Sequence, residues 1–446
     1  MAVVVLRHPL RDLADGATRV EVGGTNVGEA LDDLVRAHPR LGTWILDEHG
    51  RIRRHVNVFV DGLRADRDVA VESTSELNII QAISGGAVGQ GQKELLVGTR
   101  KGLFVLRGEP GGEMNVAGRF FEGSDVEFAI RDPRTGRYYA SVTNGFYGPH
   151  MHFSDDPSDG WTEAKGPAFP QDTGATLVRT WVIQPGEEDG VVWAGTDPAA
   201  LFKSTDGGES WELNRGLWDH PTRPQWQPGG GGLALHSICP WPGDPQRLAV
   251  GVSAAGVWLT DDGGASWRRS GKGITPRYIP DDTPEDQIPL CIHNMHRVPV
   301  QPETLYMQFH GGVYRSDDAG ETWNYIAEGG LPSDFGFPMV AHPRDPDKAF
   351  VIPLNGDFDR VTPEGKVQVF ESSDRGESWT STSNGLPNEH AYLTVLRLAF
   401  AHDGGDPLGL YFGATSGDVF GSADEGRTWT TIARHLPPVL SLRAAN

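Results

Sequence analysis

The sequence lacks the features of exported, membrane-spanning and nucleic-acid-binding proteins. It has only two cysteines in 446 residues, Cys239 and Cys291, so a disulfide framework is excluded and a reducing compartment is expected. It has no run of about 18 apolar residues, and its first residues do not resemble a signal peptide. Acidic residues outnumber basic ones by 60 to 39, and the net charge of −21 repels phosphate backbones and anionic lipids. We expect a cytoplasmic protein with no nucleic-acid or membrane partner.

Sequence motifs of the common catalytic classes are also missing. There is no P-loop, no dinucleotide fingerprint, no zinc-type cysteine pair and no serine nucleophile elbow. Glycine and proline are plentiful, at 58 and 32 residues, and they follow no collagen-like period. This composition is typical of all-β folds with many turns.

The first 86 residues carry the pattern of a small α+β domain. Short apolar strands are predicted at 3–6 and 19–22, followed by a helix that Asn26 caps and Glu29 supports through a capping box. Val56–Val60 alternates as a strand should, and a last strand over 77–83 leads to Gly85-Gly86. The order ββ-α-β-β is that of a ubiquitin-like β-grasp domain.

The segments 27–34 (Val-Gly-Glu-Ala-Leu-Asp-Asp-Leu) and 47–62, together with Gly85-Gly86, resemble the ubiquitin-like sulfur-carrier proteins of molybdopterin, thiamin and cysteine biosynthesis. The resemblance implies that an activating enzyme adenylates the carboxylate of Gly86 and that sulfur then replaces AMP to give a thiocarboxylate. Here Gly86 is joined to Ala87, so a protease that cleaves after Gly86 is a second implied partner. The alternative is that Gly85-Gly86 only begins a flexible linker, which we place at 87–92.

A repeated motif organises residues 93–446. The pattern Ser/Thr-x-Asp-x-Gly-x-x-Trp recurs every 50 to 56 residues, and a degenerate copy precedes the others. Its aspartates are Asp156 (the degenerate copy), Asp206, Asp262, Asp318, Asp374 and Asp424. Glycine permits the turn, aspartate binds neighbouring backbone N–H groups and tryptophan packs between sheets, so we assign the motif a structural role. It resembles the Asp-box, or BNR repeat, of sialidase-like β-propellers.

The repeats predict an all-β propeller of seven blades, with six as the alternative. One blade is split between the two ends of the domain. Segments 95–99 and 103–106 look like its second and third strands, and 439–442 repeats the inner-strand pattern of 395–398. Pairing of the ends would close the ring and remove open sheet edges.

Alignment of the inner strands on the turns that follow them predicts a site where these strands begin, at the top face of the propeller. Five of the seven aligned positions hold ionisable residues, whereas core packing would favour apolar residues there. These positions are Glu127, Arg179, His236, His293 and Arg397, and nearby loops add Tyr147, His150, His152, His310 and His390.

Each of these residues has alternative interpretations. His150 and His152 could share a metal ion, and no other cofactor is implied by the sequence. Arg179 and Arg397 could bind a small anionic ligand, or they could pair with Glu127 and line a wet channel. Sialidase activity is not expected, because the Arg-Ile-Pro motif and a recognisable pair of catalytic carboxylates are absent.

Three functions are consistent with the sequence. The leading hypothesis is a sulfur-carrier-like domain, active after release or by docking, fused to a propeller that acts as its partner or recognition platform. The second is a propeller enzyme or anion-binding protein with a His/Arg site. The third is an interaction scaffold without chemistry. We expect binding rather than catalysis.

Overall fold

The structure is a computed structural model that describes residues 2–6, 10–14, 16–46, 50–52, 56–60, 63–81, 92–277, 289–356 and 358–445. The chain divides into two compact units, Met1–Ala87 and Val88–Asn446. Gly85 and Gly86, and the predicted linker up to residue 91, lie outside the described residues. No helix in the described ranges is both long and apolar enough to cross a bilayer.

The first unit is a mixed five-stranded sheet with short helices. Its strands lie in the order β2-β1-β5-β3-β4, and β5 pairs parallel with β1 and antiparallel with β3. The strands are β1 (Ala2–Val5), β2 (Arg19–Val22), β3 (Val56–Val60), β4 (Leu63–Ala65) and β5 (Glu76–Gln81). The helices are α1 (Leu10–Leu13), α2 (Val27–Ala37), a 3₁₀ turn at Pro39–Leu41 and α3 (Gly42–Ile45). The predicted β-grasp is confirmed, and β4 is an additional strand that the sequence analysis did not predict.

The start of α2 follows the sequence prediction with one change. The side chain of Asn26 accepts a hydrogen bond from the backbone N–H of Glu29 at 2.9 Å, as predicted. The Glu29 carboxylate binds Thr25 instead of Asn26, accepting from its backbone N–H at 2.7 Å and its hydroxyl at 2.9 Å. The apolar face of α2 is buried against the sheet, with Leu31 and Leu34 fully covered. This packing gives the unit its own hydrophobic core.

The described residues of the second unit contain seven four-stranded antiparallel sheets and the short helix α4 (Arg215–Trp218). The inner strands are β9 (Asp125–Arg131), β13 (Arg179–Pro185), β17 (Leu235–Trp241), β21 (Ile292–Arg297), β25 (Gly336–Ala341), β29 (Phe400–His402) and β33 (Val439–Ala444). The second strands are β10 (Tyr138–Asn144), β14 (Val192–Asp197), β18 (Asp244–Val252), β22 (Leu305–Phe309), β26 (Ala349–Pro353), β30 (Leu410–Gly413) and β6 (Lys93–Thr99). The third strands are β11 (Gly148–Ser154), β15 (Leu201–Ser204), β19 (Gly256–Thr260), β23 (Gly312–Ser316), β27 (Phe370–Ser372), β31 (Val419–Ser422) and β7 (Gly102–Gly108). The outer strands are β12 (Thr162–Glu163), β16 (Glu212–Leu213), β20 (Arg268–Ser270), β24 (Asn324–Tyr325), β28 (Thr380–Ser381), β32 (Thr430–Ala433) and β8 (Asn115–Phe120).

The seven inner strands form a closed ring. Each contacts the inner strand of the next sheet, and β33 contacts both β29 and β9. The predicted closure is confirmed, because β33 pairs antiparallel with β6, joining Val439 to Thr99 and Ala444 to Leu95. Neighbouring sheets cover both faces of each sheet. Central strands such as β22, Leu-Tyr-Met-Gln-Phe, are therefore buried along their whole length.

The repeated aspartates are hydrogen-bond acceptors in the turns between third and outer strands. Asp318 is representative: it accepts from the backbone N–H of Thr322 at 2.9 Å, from the Thr322 hydroxyl at 2.6 Å and from the Ser316 hydroxyl at 2.8 Å. The neighbouring Trp323 is buried and donates its indole N–H to Ser270 of the adjacent sheet at 3.1 Å. The Asp318 turn therefore holds its own strand pair and anchors one sheet to the next.

The aspartate turns predict a stability effect. Replacing Asp318 by Ala removes three hydrogen bonds to a carboxylate, and we expect the free energy of unfolding to fall by about 1–2 kcal/mol. The matched control is Glu328→Ala, an exposed acid close in the chain whose carboxylate accepts no hydrogen bond from the described residues. Urea denaturation of the full chain measures both. Equal stability of the two variants would contradict the structural role of the turn.

Candidate functional site

The amino-terminal ends of the inner strands contain β-bulges. In six of the seven sheets the register between inner and second strand shifts so that the inner strand carries one extra residue. The extra residues are Glu127, Trp181, His236, His293, one of Phe337 and Pro338, and Leu440. Bulges bend a strand and re-aim a side chain, and they are frequent beside functional sites.

The bulges coincide with most of the positions that the sequence alignment selected. Glu127, His236 and His293 are themselves the extra residues. In β13 the extra residue is Trp181, two positions after the selected Arg179. Arg397 precedes β29 by three residues, and its backbone carbonyl accepts a hydrogen bond from the side chain of Asn294 in β21.

Glu127 and Arg179 form an ion pair at this end of the ring. Arg179 Nη1 lies 3.4 Å from Glu127 Oε1, and Arg179 Nε lies 3.7 Å from Asp197 Oδ2. Burial raises the pKa of both carboxyl groups, and the guanidinium opposes that shift. The pair matches one of the two sequence interpretations, in which Arg179 balances Glu127 within the channel.

A second group of side chains, which we call the mouth cluster, surrounds His293. It consists of His236, Cys291, His293, His310 and Arg397. The ring centroid of His293 lies 5.3 Å from that of His310, and ligand atoms of Cys291, His293 and His310 all lie within 4.8 Å of one another. The backbone N–H of His310 donates to the carbonyl of Cys291 at 3.0 Å, which fixes the two residues side by side.

The protonation state of His293 follows from its surroundings. Its Nδ1 lies 2.6 Å from the carbonyl oxygen of Gly336, which can only accept, so Nδ1 carries the hydrogen and Nε2 keeps a lone pair. Burial lowers the pKa of His293 well below its ordinary value, and the positive charge of Arg397 lowers it further. His293 is therefore a neutral imidazole with its Nε2 available as a ligand atom.

Arg397 sets the charge of the mouth cluster. Its guanidinium lies over the ring of Phe337, 4.7 Å from the centroid, and its buried Nε has no hydrogen-bond partner. Burial lowers the pKa of Arg397 to about 10, and it lowers that of His236 to about 3. Burial raises the pKa of the Cys291 thiol, while the charge of Arg397 acts in the opposite direction.

The loop residues predicted to join this site are only partly brought together. Both ring nitrogens of His150 are engaged, one by Glu163 Oε1 at 2.8 Å and the other by the Tyr147 carbonyl at 3.0 Å. The ring of His152 lies 6.4 Å from that of His150, and its buried Nδ1 has no partner. Tyr147 is 82% exposed. His390 is exposed in a loop with a φ of 51°.

Sequence reasoning missed Cys291, because it appeared only as one of two cysteines without a pairing motif. The available signal was its position two residues before a selected inner-strand histidine. The contact with His310 joins the start of β21 to the end of β22, and only the strand register reveals it. Trp181 was missed because the turn-based alignment cannot locate a bulge.

The two units of the chain are similar to different known proteins. No protein-family model matches the chain. Small archaeal modifier protein 1 of Haloferax volcanii is 39% identical over 80 residues, which are 17% of this chain and 92% of that protein. A structure of the BexX/CysO complex of Amycolatopsis orientalis matches 19% of this chain and 100% of the compared chain, at 26% identity and a TM-score of 0.18.

The larger unit resembles known propellers more distantly. Vacuolar protein sorting/targeting protein 10 of Verticillium alfalfae is 27% identical over 124 residues, and the chain spans only 8% of that protein's length. A structure from Bacteroides uniformis, assigned as a 6-phosphogluconolactonase, matches 80% of this chain and 100% of its own at 11% identity and a TM-score of 0.50. This likeness shows the fold alone.

The contact between His150 and Glu163 predicts a pH-dependent effect. The Glu163 carboxylate raises the pKa of His150, so the contact stabilises the folded unit below about pH 6.5 and is lost as pH rises through the raised pKa. In Glu163→Gln we expect the pKa of His150 to fall, as measured by NMR titration of its ring. Glu212→Gln, on the equivalent outer strand of the next sheet, should leave it unchanged. An unchanged His150 pKa in Glu163→Gln would contradict this assignment.

Proposed function

Through residues 1–86 the chain belongs to the ubiquitin-like family of sulfur carriers and small archaeal modifier proteins, and from this membership we propose that Gly86 is its reactive terminus. The observation that carries the proposal is the extent of the relationship. Residues of the first unit match 92% of a small modifier's length at 39% identity, so the match covers a whole domain. The boundary between the two compact units, after Ala87, falls one residue beyond Gly86.

The fused arrangement requires a cleavage step before activation. A protease would hydrolyse the bond between Gly86 and Ala87, leaving a free carboxylate on Gly86. An adenylating enzyme would then join AMP from ATP to that carboxylate and release pyrophosphate, and a sulfur donor would displace AMP. Glycines suit this terminus because an unbranched tail can enter a narrow active site without steric clash. Family resemblance supports both partners.

The core of the first unit supports an independent carrier. Val4, Leu31, Leu34 and Leu77 are fully buried within a cluster formed by residues 2–79 alone, so the described part of the carrier domain has a complete core. The described part of the carrier domain therefore has a hydrophobic cluster of its own. We propose that the propeller is a recognition platform that is attached until cleavage and that the protein acts in the reducing cytoplasm.

We also propose that the mouth cluster binds a divalent transition metal. The sequence analysis named His150 and His152 as residues that could share one. The specific observation is the grouping of Cys291, His293 and His310 within 4.8 Å. One thiolate and two imidazoles form a ligand set that suits Zn²⁺ or Co²⁺, with a position left for water or substrate. No ligand of this set is a charged carboxylate, so the site favours metals that prefer nitrogen and sulfur.

The surroundings prepare these three residues as ligands. The Gly336 carbonyl accepts a hydrogen bond from Nδ1 of His293, as backbone carbonyls commonly do for metal-binding histidines. Arg397 favours the thiolate of Cys291 and the neutral form of His293, the states that a metal requires. Because burial raises the pKa of the Cys291 thiol, metal affinity should increase as pH rises.

The carrier proposal is tested by the intact mass of protein expressed in its own host. We expect a fragment ending at Gly86, part of it heavier by the mass difference between sulfur and oxygen. Gly86→Ala should reduce this processing because a methyl group is added at the cleaved residue. Gly112→Ala is the matched control: Gly112 ends another diglycine, and a Cβ there meets its nearest atom at an ordinary 3.6 Å. A chain found only at full length would contradict the proposal.

The metal proposal is tested by adding Co²⁺ to the full-length protein. We expect one equivalent to bind and to give the near-ultraviolet charge-transfer band of a thiolate–cobalt bond. Cys291→Ser should abolish this band. Cys239→Ser is the matched control, because Cys239 is buried and its Sγ contacts the Met295 carbonyl at 3.2 Å instead. A band that survives in Cys291→Ser, or no band in the unmodified protein, would contradict the proposal.

A further inference from the structure

The central channel contains a large chamber that extends from the turns after the inner strands up to His236 of the mouth cluster. Its volume is about 560 Å³, which is within the range of small-molecule sites. Residues of six inner strands line it, together with the turns that follow four of them. Its rim includes Pro133, Pro185, Pro242 and Pro299, which lie at the turns on which the inner strands were aligned. We call this space the lower chamber.

The lower chamber is strongly basic in a chain whose net charge is −21. Four arginines and three histidines line it, and Glu187 is its one carboxylate among the described residues. The lining cations are Arg131, Arg134, Arg297 and Arg443, and the histidines are His236, His296 and His402. Arg134 is balanced by Asp132 at 3.4 Å. An acidic protein that concentrates positive charge in one cavity favours an anionic occupant.

Arg443 is the central cation of the lower chamber. Its Nη1 donates to the carbonyls of Leu398 at 2.8 Å and Leu442 at 2.7 Å, and its guanidinium lies 4.6 Å from the ring centroid of Phe128. It forms no ion pair with any described carboxylate. Burial lowers the pKa of Arg443 to about 10, so it stays charged at neutral pH. Arg443 is partly exposed where it lines the chamber. A cation that is largely withdrawn from water without a counter-charge is costly, and an anion would remove that cost.

Arg297 repeats this situation on the neighbouring wall. Its guanidinium donates to the Pro302 carbonyl and lies 4.8 Å from the ring centroid of Trp241. Its buried Nε has no hydrogen-bond partner, and it forms no ion pair with a described carboxylate, while the charge of Glu303 acts on it from a longer distance. Unpaired buried donors are rare in native proteins, and each requires a partner such as water or a ligand.

Neutral histidines complete the donor set. Burial, helped by the charge of Arg443, lowers the pKa of His296 to about 3 and that of His402 to about 4, and the charge of Asp403 opposes the shift of His402. His402 Nδ1 accepts from the backbone N–H of Gly404 at 3.1 Å, so the ring hydrogen of the neutral form lies on Nε2. His402 can therefore donate a hydrogen bond without adding charge. Apolar side chains such as Met295 and Phe400 line the rest of the wall.

We propose that the lower chamber binds a small organic anion, with its carboxylate or phosphate oxygens on Arg443 and Arg297 and its carbon body against the apolar wall. The site goes beyond the carrier function and differs from the proposed metal site, since its two arginines lie at the carboxyl ends of β33 and β21. Guanidinium groups bind both oxyanions strongly, and so the shared chemistry is that of an oxyanion.

The test compares citrate and inorganic phosphate as probes of the full-length protein by isothermal titration calorimetry. We expect at least one of them to bind with a dissociation constant of about 1 mM or tighter, and the stronger probe identifies carboxylate or phosphate as the preferred group. Arg443→Met should weaken that binding at least tenfold, because about two charge-assisted hydrogen bonds are lost. Arg119→Met is the matched control, since exposed Arg119 lies on the outer strand β8 over the ring of Phe104.

A second measurement covers the case in which Arg443→Met does not fold. Phenylglyoxal modifies guanidinium groups, and peptide mass spectrometry reports each modified arginine in the unaltered protein. The bound probe should slow modification of Arg443 and Arg297 and leave that of Arg119 unchanged. Binding of neither probe, equal effects of the two variants, or equal modification of all three arginines would overturn the proposal.

Discussion

The propeller depends on one pairing between the ends of its chain. The last strand, β33, completes the sheet that begins with β6, and it contacts the inner strands on both sides of it in the ring. The strands approach so closely that a Cβ at Gly98 would lie 2.5 Å from the Ser441 hydroxyl. Without this pairing, β6 would expose an open edge and the ring of inner strands would lose one member. Arg443 lies in β33 itself, so the lower chamber exists only when the ring is closed.

The same inner strands present different chemistry at their two ends. At the amino ends, bulges place Glu127, His236 and His293 where the ring converges, and the ion pair of Arg179 with Glu127 balances part of the charge. At the carboxyl ends, arginines and neutral histidines face a chamber that holds one described carboxylate. Both ends contain buried polar atoms without partners, including His236 Nε2 and Arg297 Nε. Such atoms are costly for stability, which is why we assign them to ligand binding.

Local interactions explain what the sequence could predict. The cap of α2 at Asn26 and the turn around Asp318 each involve residues within four positions of one another, so their spacing reveals them. The closure by β33 was visible because its pattern repeats that of another inner strand. The mouth cluster was not visible, because Cys291 and His310 meet through the register of two strands. A β-bulge also changes the register of one strand relative to the next, and the spacing of residues in the sequence does not reveal it. The extra residue of β13 is therefore Trp181, whereas the alignment selected Arg179. Gly85 and Gly86 lie outside the described residues, so their role rests on the family relationship.

The central claim is that the first unit is a carrier whose reactive group appears only when Gly86 is a chain end. The most direct measurement is pyrophosphate release by the host's adenylating enzyme, supplied with ATP and either residues 1–86 or the full chain. The account predicts release with the protein that ends at Gly86 and none with the full chain, in which the same glycine is held in a peptide bond. No release with residues 1–86, when a native carrier of the same host is active in that assay, would contradict it.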